Sequence, residues 1–100
     1  MHRLACVLIA AAALFVPAGT GLGSLRADEP LRIRAVSYNI HYGQGNDGKY
    51  DVERLAEVIN RLKPDLVGLQ EVDVGVERSG RVHQARRLGE LTGMQVRYGP

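Results

Sequence analysis

Apolar positions fall into two regimes along this chain. Leu4 to Val16, LACVLIAAAALFV, is an unbroken apolar run of 13 residues, with His2 and Arg3 before it and Pro17, Gly19, Gly21 and Gly23 after it. A membrane-spanning helix needs about 20 such residues, whereas the apolar centre of a secretory leader needs roughly 7–15. The run therefore predicts a signal peptide over residues 1–27. Cleavage is expected after Ala27, with Leu25 at the −3 position, or alternatively after Ala18, with Val16 at −3. The other fates of such a run are a buried N-terminal helix or an uncleaved anchor. From Asp28 onward apolar and polar residues interleave. Ile33, Val36, Tyr38 and Ile40 predict a strand over Leu31 to Ile40. His41 to Tyr50 has three glycines and the turn-forming Asn46-Asp47-Gly48, and reads as a loop. Asp51 is suited to cap a helix whose buried face carries Val52, Leu55, Ala56, Val58, Ile59 and Leu62, and Pro64 ends it. Leu66-Val67-Gly68-Leu69 lacks alternation and predicts a strand covered on both faces. Val72 to Arg81 reads as a polar loop. A second helix is predicted over His83 to Thr92, closed by Gly93, and a third strand over Met94 to Tyr98.

Strand, helix, strand, helix, strand is an α/β pattern. Residues 28–100 are expected to be the N-terminal part of an incomplete domain, since three strands and two helices leave edges and faces uncovered. Composition adds little: 45% hydrophobic and 24% charged residues are ordinary for a globular protein. Charge adds more. The chain has 13 basic and 11 acidic residues, but Arg3 and Arg26 are the only charges before Asp28, so the remainder is formally neutral. No global basic field draws it to polyanions, which leaves nucleic acid a partner that charge does not favour. The single Cys, Cys6, excludes a disulfide partner and a cysteine-based zinc site. It precedes both cleavage positions and so is no lipid-attachment residue of the mature chain. The leader has no twin-arginine pair, which points to the general secretory route. A secreted or periplasmic protein with no membrane anchor after cleavage is expected.

In parallel α/β sheets, ligands collect beyond the carboxyl ends of the strands. Asn39 ends the first predicted strand and Glu71 the second. Neighbouring strands lie about 4.8 Å apart, so a carboxylate and an amide at such ends reach one small ion or phosphate. Oxygen donors, few carboxylates and retained water suit Mg2+, with Mn2+ as a substitute. Val36-Ser37-Tyr38-Asn39-Ile40-His41, a capped helix, then Lys63-Pro64-Asp65-Leu66-Val67-Gly68-Leu69-Gln70-Glu71-Val72-Asp73 resembles the opening of the endonuclease/exonuclease/phosphatase superfamily. That superfamily includes deoxyribonuclease I, the exonuclease III class, neutral sphingomyelinases and inositol polyphosphate 5-phosphatases. The resemblance runs from about Ile33 to Tyr98. It implies a four-layer α/β sandwich, two β-sheets flanked by helices, and Mg2+-dependent hydrolysis of a phosphodiester or phosphomonoester. It assigns Asn39 to catalysis or metal contact and Glu71 to the metal. It implies in-line attack by a water that a His, held by an Asp, deprotonates. The superfamily's Asp-x-Asn and Ser-Asp-His segments have no counterpart before Pro100, so the base is expected downstream and these 100 residues alone are expected to be inactive. A non-catalytic secreted binding module on the same scaffold is the alternative.

The remaining polar residues have simpler readings. Asn39 at a strand end also suits a turn to its own backbone. Gln70 either orients Glu71 or is satisfied by the sheet. His41 is expected at the rim. Tyr38 and Tyr42 are expected to pack. Asp73, Glu77 and Arg78 read as a solvated charged loop, although Arg78 or Arg81 is a candidate contact for an anionic substrate. His83-Gln84 is expected to cap the second helix or to be solvated.

Overall fold

A computed structural model describes residues 5–10 and 29–99. It is a small α/β unit: a four-stranded mixed sheet with two helices on one face. The strands are β1 (Ala5–Ala10), β2 (Ala35–Asn39), β3 (Leu66–Gln70) and β4 (Met94–Tyr98), and the helices are α1 (Val52–Leu62) and α2 (Gln84–Thr92). The order across the sheet is β2-β3-β1-β4. β2 and β3 run parallel, joined through α1, with Asn39 opposite Gln70. β1 lies antiparallel to β3 on one side and to β4 on the other.

The helices form where local chemistry says they should. The Asp51 carboxylate accepts from the Arg54 amide at 2.9 Å and satisfies one of the free N–H groups of the first turn. Lys63, pressed by Pro64, leaves the helix in a left-handed conformation (φ 48°). His83 Nδ1 accepts from the Arg86 amide and caps α2, and Gly93 closes it with φ 70°. The apolar stripe of α1 puts Ala56 and Ile59 into the core, and α2 adds Ala85 and Leu88. They meet Val67 and Leu69 of β3 and Cys6 and Leu8 of β1, all fully buried.

Three expectations change. The first predicted strand is five residues, not ten, because β3 begins only at Leu66 and, among the described residues, nothing pairs with Leu31 to Ile33. At the boundary the Asp65 side chain accepts from the Arg34 amide at 2.7 Å, and the Arg34 carbonyl accepts from the Asp65 amide at 2.8 Å. Among the described residues β3 is covered on one face where both were expected: Val67 and Leu69 are buried, but Leu66 is exposed and Gly68 half-buried. Part of the apolar run is a strand. Val7 and Ile9 face away from the helices while Cys6 and Leu8 face them, an alternation that six residues of uniform apolarity do not announce. Both expected cleavage positions, Ala18 and Ala27, lie outside the described residues. Among the described residues no helix is long and apolar enough to cross a membrane.

Candidate functional site

The carboxyl ends of β2 and β3 lie side by side, so Asn39 and Glu71 close adjacent parallel strands. Strict alternation would send the two side chains to opposite faces. Asn39 follows Ala35 and Ser37 on the exposed face, whereas the residue after Gln70 would follow Val67 and Leu69 to the helix side. That alternation stops here. Glu71 has a left-handed backbone (φ 56°), as do His41 (φ 46°) and Tyr42 (φ 45°). Each costs about 1–2 kcal/mol for a residue with a Cβ. Such conformations persist only where the surroundings fix them, and they concentrate at functional sites. Here backbone bonds fix them. The Ile40 amide donates to the Gln70 carbonyl at 3.0 Å, and the Tyr42 amide donates to the Glu71 carbonyl at 2.8 Å.

Glu71 is half-buried, and among the described residues its carboxylate receives no hydrogen bond. Asn39 is exposed, and its Oδ1 accepts from the His41 amide at 3.0 Å. That turn to its own backbone commits the amide oxygen and leaves Nδ2 as the free donor. Gln70 is satisfied by the sheet, its Nε2 donating to Ser37 Oγ at 3.2 Å and to the Gly68 carbonyl at 3.3 Å. His41 is exposed at the rim, with its ring 4.3 Å from that of Tyr42.

A recess of about 290 Å³ opens beside Asn39, walled by the Gly43 to Asn46 loop and by Arg54, Leu55 and Val58 of α1. Glu71 does not line it. The two residues thus share one sheet edge and one backbone hydrogen-bond network, but not one enclosed cavity. A cavity at the edge of a sheet takes walls from layers on both faces, and the described residues supply a layer on one.

Oxygen donors are what a hard cation needs, and Glu71 supplies a carboxylate, whereas the Asn39 amide oxygen is already bonded to the His41 amide. Among the described residues no cluster of three His, Cys, Asp or Glu side chains surrounds them. The donor set fits Mg2+ only as part of a shell completed by water and other ligands.

Within the charged loop after β3, Asp73 departs from the solvated face expected of it. Asp73 is buried, and its carboxylate accepts a bidentate pair from Arg78 (2.9 and 2.8 Å) and a third bond from Ser79 Oγ at 2.8 Å. The Arg78 guanidinium holds the Asp73 carboxyl below its ordinary range, against the opposing push of burial. Asp73 in turn pushes the Arg78 pKa upward. The guanidinium lies 3.6 Å over the Tyr42 ring, joining this loop to the one after β2. Glu77 remains exposed, as expected, and so is Arg81. Gln84 is neither solvated nor a cap: it is fully buried, its Nε2 donating to the Tyr42 carbonyl at 2.7 Å and its Oε1 accepting from the Asp73 amide at 2.9 Å. A polar residue on the inward side of α2 was the one sequence cue to that burial.

No protein-family model matches the chain, and no curated protein or solved structure is significantly similar to it.

Proposed function

We propose that this chain is the N-terminal part of a secreted, metal-dependent phosphoesterase of the endonuclease/exonuclease/phosphatase type. Residues 1–27 are its leader, so the place that residues 5–10 hold between β3 and β4 passes to another strand once the leader is removed, and residues 28–100 begin its four-layer sandwich. One observation carries the reading: Asn39 and Glu71 close neighbouring parallel strands, where three non-glycine residues hold strained backbone. The sheet itself suits a sandwich. The face away from the helices combines exposed Leu66 with the small residues Ala35, Ser37 and Gly68, a surface suited to close packing by a second layer.

In this reading Glu71 binds Mg2+ through its carboxylate. Asn39, with Oδ1 held by the His41 amide, presents Nδ2 as a donor to a phosphoryl oxygen of the substrate. Bound Mg2+ supplies charge stabilisation to the phosphoryl and leaving oxygens. The base that deprotonates the attacking water lies downstream of these residues, and the stretch alone is inactive. Phosphodiesters and phosphomonoesters both suit this chemistry, and the neutral balance of the folded part argues against a nucleic-acid backbone as the main attraction.

The test is Glu71→Gln in the full-length protein at saturating Mg2+, assayed on nucleic acid, sphingomyelin and sugar or inositol phosphates. Turnover is expected to fall by at least roughly 100-fold on the substrate that wild type hydrolyses. Equal turnover in the variant on every substrate refutes the role of Glu71. A binding module on the same scaffold is the second reading, favoured by the Asn39 turn, which a purely structural asparagine also makes. Absence of hydrolysis by wild type on all these esters would select it.

A further inference from the structure

Gln84 is the least expected feature of the core. An amide removed from water costs free energy unless both its ends are bonded, and an apolar residue at this position would pack without that demand. Here both ends are bonded, and each bond goes to a strand-end loop. Nε2 donates to the Tyr42 carbonyl in the loop after β2, and Oε1 accepts from the Asp73 amide in the loop after β3. The Gln84 amide itself donates to the Asp73 carbonyl at 3.1 Å, so residues 73 and 84 are tied in both directions. Tyr42 closes the circuit by donating its own amide to the Glu71 carbonyl at 2.8 Å. The ring therefore runs from Glu71 along the chain to Asp73, then by hydrogen bonds through Gln84 and Tyr42 back to Glu71. Two of the three left-handed residues at the sheet edge, Tyr42 and Glu71, lie on it. Gly43 makes room for it: a Cβ there would stand 3.0 Å from Gln84 Nε2, and its φ of 81° suits glycine.

We infer that Gln84 is a positioning residue for Glu71, setting the backbone twist that takes the carboxylate out of strand alternation and presents it to the cation. The inference rests on the metal role proposed for Glu71. A purely structural Gln84 would affect only how much protein is folded. A positioning Gln84 also changes how tightly each folded molecule binds the ion, since groups that orient metal ligands typically change affinity 10–100-fold when removed.

The experiment uses full-length protein and Mn2+ alone as the probe, with free Mn2+ read by electron paramagnetic resonance. Folding is checked by circular dichroism. Gln84→Met keeps the side-chain volume and removes both bonds. It is expected to weaken Mn2+ binding by about tenfold per folded molecule and to speed hydrogen exchange at the Tyr42 amide. Gln84→Leu, a smaller apolar side chain, also removes both bonds. It is expected to weaken binding likewise, and it decides the matter if the Met variant does not fold. Wild-type affinity in a folded variant overturns the inference. Glu71→Gln serves as the control: if it leaves Mn2+ binding unchanged, the metal role of Glu71 is what fails, and the positioning role falls with it.

Discussion

Asp73 shows what a single residue does at this sheet edge. Its carboxylate is removed from water, and Arg78 and Ser79 replace the lost hydration with three hydrogen bonds. Its folded pKa lies below the ordinary value of 3.8, so the charged group stabilises the fold fully above about pH 4. That stability is lost as pH falls through the folded value, and the alkaline side is unaffected by this group. Urea denaturation at pH 7 and near pH 3 is expected to show a smaller acid loss in Asp73→Asn than in wild type. Asp73→Ala strips three donors of their acceptor and is expected to cost about 2 kcal/mol at neutral pH. For a domain of this size that is roughly 8–16 °C in Tm, measurable by thermal melting. Asp73 read as a surface residue from sequence because nothing in VDVGVERSG announces that its carboxylate turns inward. Burial of a loop carboxylate depends on partners supplied by the loop's own return, Arg78 and Ser79, whereas Gln84 showed its inward place on α2 but not its partners, which lie in two strand-end loops.

Elements were far more legible than polar contacts. α1 is readable from its cap, its apolar stripe and Pro64, since all three act within a few residues of the helix. Asp51→Ala removes the bond to the Arg54 amide and is expected to cost about 1 kcal/mol, read as a lower urea midpoint. α2 holds a less visible feature. A Cβ on Gly89 would lie 2.3 Å from Val96 Cγ2 and 3.0 Å from the Met94 carbonyl, so glycine lets the helix sit against β4. Gly89→Ala is expected to destabilise by about 1–3 kcal/mol despite the better helix propensity of alanine. Adding Val96→Ala relieves the closer contact and is expected to recover part of that loss in a double-mutant cycle. The strands were readable in order but not in length or neighbour. β2 is as long as its partner allows, and pairing is a non-local property that alternation in one segment does not encode.

At the scale of the molecule, residues 5–10 carry the largest consequence. They form the interior strand that separates β3 from β4 and bury Cys6 and Leu8 against both helices. Leader and interior strand have the same composition, so apolarity alone does not distinguish them. Deleting residues 1–27 from this chain is expected to leave facing edges of β3 and β4 unpaired. Hydrogen exchange at Val67, Leu69, Gln95 and Arg97 is expected to accelerate as a result, and unchanged protection would show that another strand fills the gap. The adjacency of β2 and β3 does not depend on this strand, because they pair directly through Ala35 to Asn39.

That adjacency leads to the central proposal, that Glu71 binds a divalent cation beside Asn39. Its most direct measurement is calorimetric titration of Mg2+ into full-length wild-type and Glu71→Gln protein, both verified as folded. Saturable binding in wild type, weakened at least about tenfold by the substitution, is the predicted result. Equal affinity in the two proteins, or no binding in wild type, contradicts it.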